Sequence, residues 1–132
     1  MRKRDRVTKA RQAAEKRGRR SETFAALLLQ LKFYRILGRR VRTRVGEIDL
    51  VARSPGGVVC FVEVKARQRH GLAEESVIRR QQSRITRAAS LYLASRPSLA
   101  TASVRFDVVT VVPGQLPRHL RDAWRPDDVD NR

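Results

Sequence analysis

Two short segments of the sequence carry charged residues inside otherwise apolar runs. Glu63 and Lys65 lie in FVEVKAR, and Glu47 and Asp49 lie in GEIDLVAR. Successive side chains of a strand point to opposite faces, so each pair shares one face of its own strand. Charged groups away from water are costly unless they are paired or used, and these four residues are therefore candidates for a chemical site.

The turn between the two segments places them side by side. The sequence SPGG at residues 54–57 is a strong turn signal between two apolar runs, and it predicts an antiparallel hairpin. Cross-strand pairing in such a hairpin brings Asp49 near Glu63. Two carboxylates held together repel each other, so this arrangement requires a cation between them.

Mg²⁺, or Mn²⁺ in its place, meets this requirement, because a hard cation takes carboxylates together with phosphate oxygens and water. An ion held by Asp49 and Glu63 could activate a water and stabilise charge on a phosphodiester under attack. Lys65 could orient that water or neutralise the phosphate, and Glu22, at the start of the first predicted helix, could add a ligand. The alternative is an ion-pair ladder of Glu63, Lys65 and nearby arginines on a solvated sheet face.

The overall charge narrows the choice of partner. Thirty Lys and Arg against thirteen Asp and Glu give a formal net charge of +17. Such a charge favours polyanions through counterion release, so nucleic acid is the first partner to expect, ahead of an anionic membrane surface. The alternative is a basic surface that only aids solubility. The acidic residues within 21–117 are Glu22, Glu47, Asp49, Glu63, Glu74, Glu75 and Asp107.

Several classes of protein are not expected. A single cysteine, Cys60, excludes a disulfide framework within the chain, and its apolar neighbours predict a small buried side chain. His70 and His119 stand alone, which excludes a metal cluster built on Cys or His. The apolar run FAALLLQLKF is broken by Gln30 and Lys32, so we expect neither a signal peptide nor a membrane span. We therefore expect a cytoplasmic location.

The first twenty residues differ from the rest of the chain. They contain ten basic and two acidic residues, a net charge of +8, and no apolar stripe. Such a segment is either flexible or an exposed helical extension. We therefore divide the chain into a basic arm (1–20), a single domain (21–126) and a polar tail (127–132).

Apolar spacing and turn residues predict an α/β layer fold for the domain, with elements in the order α-β-β-β-α-β. Ser21 is a suitable N-cap for the first helix, and Gly38 is a suitable stop. The predicted elements are a helix over 21–37, an edge strand over 39–44, the two strands of the hairpin, a helix over 74–95, a strand over 103–113 and a short helix around 118–124.

The two charged segments also carry a family resemblance. VGEIDLVAR followed by VVCFVEVKAR resembles the PD-(D/E)xK nuclease superfamily, whose restriction-endonuclease-like fold is a central mixed sheet flanked by helices. More closely, residues 18–124 resemble the YraN family of small bacterial proteins, which are similar to Holliday junction resolvases. This resemblance implies a Mg²⁺-dependent, structure-selective endonuclease acting on branched or otherwise non-linear DNA, and a homodimer. The alternative is a non-catalytic nucleic-acid-binding protein on the same fold.

The resemblance also assigns roles to residues. Asp49 takes the place of the superfamily's metal-binding Asp, Glu63 matches its second acid, and Lys65 matches its catalytic lysine. Glu22 falls where resolvase-like members place a glutamate on the first helix, and it is implied as a third ligand. Gln81 falls where related nucleases place a Gln or Lys near the scissile phosphate.

Two acids and the basic residues complete the predicted site. Glu47 is either a second ligand or a structural partner for an arginine. Asp107, in the strand RFDVV, is predicted to form a structural salt bridge. Basic walls around the cleft are expected to follow the phosphate backbone. They comprise Arg39, Arg40, Arg42, Arg44, Arg67, Arg69, Arg79, Arg80 and Arg84.

Overall fold

The computed structural model describes residues 2–67 and 79–126, and they form two layers of helix around one sheet. The elements are α1 (Lys3–Leu31), β1 (Arg35–Thr43), β2 (Gly46–Arg53), β3 (Val59–Ala66), α2 (Arg79–Ala94), a 3₁₀ turn (Pro97–Leu99), β4 (Val104–Val111) and β5 (Arg118–Trp124). The strands form a mixed sheet in the order β1-β2-β3-β4-β5. This confirms the predicted α/β class, and the arrangement is consistent with a restriction-endonuclease-like fold.

The sheet is antiparallel except between β3 and β4, which run parallel. A parallel pair needs a crossover connection, and α2 lies in that connection. Alternation along β3 then divides the core. Phe61 packs with Tyr92 of α2 on one face, whereas Cys60 and Val62 pack with Leu29 of α1 on the other. Cys60 is fully buried, as its apolar neighbours predict.

The first helix begins and ends earlier than predicted. It starts at Lys3, so Ser21 lies inside the helix and is not its N-cap. Its end is a Schellman motif in which Phe33, with φ 67°, donates to Gln30 O and Tyr34 N–H donates to Leu29 O. The chain therefore leaves the helix without a glycine.

Gly38, the predicted stop of the first helix, lies instead in β1. The register of β1 against β2 shifts between Ile36 and Gly38. A Cβ at position 38 would lie 2.8 Å from Val41 Cγ2, so a larger residue in this irregular stretch of strand would force the Val41 side chain to shift. The edge strand is consequently longer than the predicted 39–44.

The segment 118–124 was predicted as a short helix, and this prediction is wrong. It forms β5, which pairs antiparallel with β4, and the ring of Trp124 stacks on Phe106 at 5.2 Å between centroids. The helical spacing of Leu120 and Ala123 with Trp124 is therefore misleading. The open edge of β4 supplies backbone partners for the segment, and tertiary context of this kind overrides local propensity.

The remaining predictions of elements agree with the described residues. The hairpin of β2 and β3 is antiparallel, and α2 turns Ile85, Ala88, Ala89 and Tyr92 toward the core. The start of the predicted second helix, residues 74–78, lies outside the described residues, as do His70 and the tail 127–132. Within the described residues, no helix combines the length and the apolar character needed to cross a membrane.

Candidate active site

The strands β2 and β3 separate at Asp49. Their paired register runs from Arg53 opposite Val59 to Leu50 opposite Val62. At the next position, Asp49 Oδ2 accepts a hydrogen bond of 2.8 Å from the backbone N–H of Val64. The side chain thus takes the place of a backbone partner, which fixes its carboxylate at the point where the two strands diverge.

Glu63, Lys65 and Gln81 meet Asp49 at this point. The charge of Glu63 acts on Asp49, and Glu63 Oε1 lies 3.3 Å from Lys65 Nζ. Lys65 Nζ also donates to Gln81 Oε1 at 3.3 Å. The side chains of Lys65 and Glu63 are only 11% and 16% exposed, so their ion pair does not belong to a solvated ladder.

Two further carboxylates complete an acidic cluster. One carboxylate oxygen each of Glu22, Glu47 and Asp49 lies within 4.8 Å of the others. Glu22 is buried on α1, whereas Glu47 is exposed. Glu47 also lies 3.7 Å from Arg42 Nε. Its two predicted roles, metal ligand and salt-bridge partner of an arginine, are therefore both compatible with its position.

Arg40 supplies positive charge to this acidic cluster. Its Nε–H donates to Glu22 Oε2, and its backbone φ of 50° is unusual for a residue other than glycine. Such a conformation costs on the order of 1 kcal/mol. The hydrogen bond to Glu22, followed by the charges of Glu47 and Asp49, raises the pKa of the Arg40 guanidinium. A residue predicted to bind phosphate therefore acts as a counter-ion for the acids.

The negative charges of the acidic cluster are only partly balanced by nearby positive charges. Burial raises the pKa of Asp49 to about 7, with the charge of Glu63 as the second cause, and the Val64 N–H opposes this rise. Burial also raises the pKa of Glu63, although Lys65 acts in the opposite direction. A divalent cation would relieve the same repulsion that protonation relieves. The donors are all carboxylate oxygens, so the set fits a hard ion such as Mg²⁺.

The predicted basic residues lie on several elements, and Arg40 and Arg42 contact acids of the cluster. Exposed arginines follow β1 and the first turns of α2, and Arg39 donates to Thr23 Oγ1 at 3.0 Å. The stem of Arg84 lies over Gly46, where a Cβ would be 2.9 Å from its Cδ. Arg67 is half-buried after β3, and Arg69 lies outside the described residues. The exposed members are Arg39, Arg40, Arg42, Arg44, Arg79, Arg80 and Arg84.

Asp107 belongs to a separate polar cluster on the α1 face of the sheet. Arg105 donates to both of its oxygens at 2.8 Å, His119 Nε2 lies 2.7 Å away, and the N–H of Asp122 donates at 3.0 Å. This confirms a structural salt bridge. Burial alone would raise the pKa of Asp107, but His119, Arg105 and Asp122 together lower it to about 2. His119 does not stand alone, since its Nδ1 also lies 2.7 Å from Lys32 Nζ.

Two contributors to the site were named from the sequence, but their contacts were not predicted. Arg40 was predicted to belong to a phosphate-binding wall, and in the structure it donates to Glu22 from a residue with a left-handed backbone. Glu47 was noted without a definite role. The sequence does indicate a place for Glu47 in the site, because alternation along the strand puts it on the same face as Asp49.

Comparison with known proteins shows where this chain belongs. The model of the uncharacterised protein family UPF0102 matches residues 21–111. A UPF0102 protein of Parvibaculum lavamentivorans is 52% identical over 114 residues, covering 86% of this chain and 85% of that protein. A UPF0102 protein of Maricaulis maris is 51% identical over 122 residues, covering 92% and 95%. One of Rhizobium johnstonii is 48% identical over 118 residues, covering 89% and 96%. The chain therefore belongs to the UPF0102 family, which is the YraN family that its motifs resemble.

Proposed function

We propose that this protein is a cytoplasmic, divalent-metal-dependent endonuclease that cuts phosphodiester bonds in branched or otherwise non-linear DNA. The observation that supports this proposal is the convergence of Asp49, Glu63 and Lys65 where β2 and β3 separate. Two acids and a lysine at such a point form the arrangement that the PD-(D/E)xK resemblance implies. A solvated ion-pair ladder would not bury them or bring Asp49 to Glu63.

In this proposal the acids hold the ion. Asp49 and Glu63 are its principal ligands, and Glu22 is a third. Bound Mg²⁺ or Mn²⁺ would supply Lewis-acid activation of the phosphodiester and of the attacking water. Asp49 is already held by the Val64 N–H, so this ligand is oriented in advance.

Lys65 has a separate role. Its ammonium group is held on one side by Glu63 and on the other by Gln81, at 3.3 Å from each. From this position it neutralises charge that develops on a non-bridging phosphate oxygen. Gln81 is a positioning residue, because it acts through the orientation of Lys65.

The nucleic-acid partner follows from charge. Acids clustered on a protein of net charge +17 would repel a phosphate backbone unless a cation lay between them. A surface that only bound nucleic acid would be weakened by such acids. This consideration favours the endonuclease over the non-catalytic nucleic-acid-binding alternative. A four-way junction offers two symmetric cuts, so we also propose that the active form is a homodimer, which light scattering would test.

The test is cleavage of branched, nicked and linear DNA with Mg²⁺ or Mn²⁺. We expect the native protein to cut branched DNA, and Asp49→Asn and Lys65→Ala each to lose at least about 100-fold in rate. Asp122→Asn, a carboxylate-to-amide change at an exposed residue of β5, should cut like the native protein.

Two results would refute the endonuclease. One is equal cutting by all variants, which would point to a contaminating nuclease. The other is tight DNA binding by the native protein without any cutting, which would establish the non-catalytic alternative.

A further inference from the structure

The basic arm and the acidic cluster lie on one uninterrupted helix. Helix α1 runs from Lys3 to Leu31, and Glu22 lies on it. The eighteen residues of α1 before Ser21 would rise about 27 Å at 1.5 Å per residue. The arm is therefore a helical extension with a defined direction, and its last residue, Arg20, lies within one turn of Glu22.

Ten of the twenty residues of the arm are basic, and Val7 is the only large apolar residue between positions 2 and 20. Residues 2–12 are exposed along their whole length, and the large apolar side chain among them is Val7, which is 53% exposed. Like charges one turn apart, such as Arg2 with Arg6 and Lys16 with Arg20, destabilise an isolated helix. A polyanion along the arm would remove this repulsion. A membrane surface is a poorer match, because binding in that plane requires an apolar helical face.

The basic surface continues from the arm onto the body of the protein. Lys16, Arg19 and Arg20 border a concavity of about 240 Å³ on α1. Arg20 and Arg67 border a second one of about 380 Å³, lined also by Phe24 and Val111. Arg67 follows the strand that carries Lys65. Basic side chains thus lead from the arm to the end of β3, where the acidic cluster lies.

We propose that the arm is a second nucleic-acid-binding surface, which lies along the phosphate backbone of a duplex flanking the active site. At 3.4 Å per base pair, an arm of about 27 Å extends the bound duplex by about 8 base pairs. The inference uses the nucleic-acid partner of the proposed function, but it does not need cleavage. It can therefore be tested in EDTA, where a failure of the endonuclease has no effect on the result.

The experiment measures the affinity of the full chain for DNA duplexes of 10–40 base pairs at several salt concentrations. An arm variant carries Arg4→Gln, Lys9→Gln and Arg11→Gln. A control variant loses the same three charges from the body through Arg35→Gln, Arg53→Gln and Arg121→Gln. The slope of log affinity against log salt is negative. We expect its magnitude to decrease by about 2–3 in the arm variant and by less than about 1 in the control.

The length dependence gives a second readout. For each protein, affinity should rise with duplex length and then reach a plateau. The plateau of the native protein should begin at a duplex about 8 base pairs longer than that of the arm variant. Gly18→Pro should abolish this extra length without changing any charge, because proline kinks a helix. Gly18→Ala is its control, since nothing lies within 4 Å of a Cβ at position 18.

Three results would overturn the inference. The first is an equal loss of salt dependence in the arm and body variants. The second is an equal saturating length for Gly18→Pro and Gly18→Ala. The third is loss of binding to vesicles of anionic phospholipid by the arm variant with DNA binding unchanged, which would identify the arm as a membrane-binding segment.

Discussion

Two carboxylates on either side of β3 have opposite surroundings. Asp107, on β4, is fully buried and receives hydrogen bonds from Arg105, His119 and a backbone N–H. Asp49, on β2, receives one from the Val64 N–H and otherwise faces further acids. Accordingly the pKa of Asp107 is lowered to about 2, and that of Asp49 is raised to about 7.

The difference separates a structural acid from one that the proposed metal site would use. Asp107 is compensated by the protein itself, so its charge stabilises the fold. Asp49 is held in place but left short of positive charge, because Arg40 pairs with Glu22 and Lys65 pairs with Glu63. Strain or electrostatic cost of this kind concentrates at functional sites. The two acids should therefore respond in opposite directions to the same substitution.

The largest effect is expected at Asp107. Replacement by Asn removes the charge that Arg105 and His119 surround, so Asp107→Asn should lower the free energy of unfolding by roughly 3 kcal/mol at pH 7. The pKa of Asp107 is depressed in the folded state, so its stabilisation is present above about pH 4 and is lost as the pH falls toward 2. Urea unfolding at pH 2–7 measures both effects.

Asp5→Asn is the matched control for that experiment. Asp5 is exposed in the arm, and its substitution should change the free energy of unfolding by less than about 0.5 kcal/mol. Equal stability of Asp107→Asn and the native protein at pH 7 would contradict the structural role of Asp107.

A smaller effect of the opposite sign is expected at Asp49 in the absence of divalent ions. The folded state raises its pKa, so its unfavourable contribution is absent below about pH 4 and develops as the pH rises toward 7. Asp49→Asn should therefore stabilise the metal-free protein at pH 8, by about 2 kcal/mol, and have little effect at pH 4. Unfolding in EDTA at the two pH values measures this. Destabilisation by Asp49→Asn at pH 8 would place Asp49 with Asp107 among the structural acids.

The smallest effect concerns Arg40, which competes with an added cation for Glu22. Arg40→Ala should bind Mn²⁺ about fivefold more tightly than the native protein, because one positive charge no longer opposes the ion. Arg39→Ala is the matched control, since Arg39 contacts Thr23 and its loss should leave the affinity within about twofold. Isothermal titration calorimetry measures both variants. Weaker binding by Arg40→Ala would show that Arg40 orients Glu22 as a ligand and does not compete with the ion.

The sequence predicted those parts of the site that depend on strand alternation and a hairpin. Asp49, Glu63 and Lys65 converge because side chains alternate along a strand, and because a strong turn joins β2 to β3. Such features are local. They can be read without knowledge of the rest of the fold.

Other features depend on tertiary contacts and were missed. The assignment of β5 depends on the open edge of β4, which no spacing within RHLRDAW reveals. The position of Arg40 depends on a left-handed residue within an edge strand. The end of α1 depends on Phe33 adopting a conformation that usually indicates glycine. In each case local propensity pointed elsewhere, and packing or hydrogen bonding outweighed it.

Thermal unfolding at pH 8 with increasing Mn²⁺ or Mg²⁺ tests whether Asp49, Glu63 and Glu22 hold a divalent cation. The melting temperature of the native protein should rise with ion concentration, by an amount equivalent to about 1.4 kcal/mol at ten times the Kd. Asp49→Asn should show no such rise, whereas Asp107→Asn, although less stable, should retain it. An ion-independent melting temperature for the native protein, or an equal rise for Asp49→Asn, would contradict the metal site.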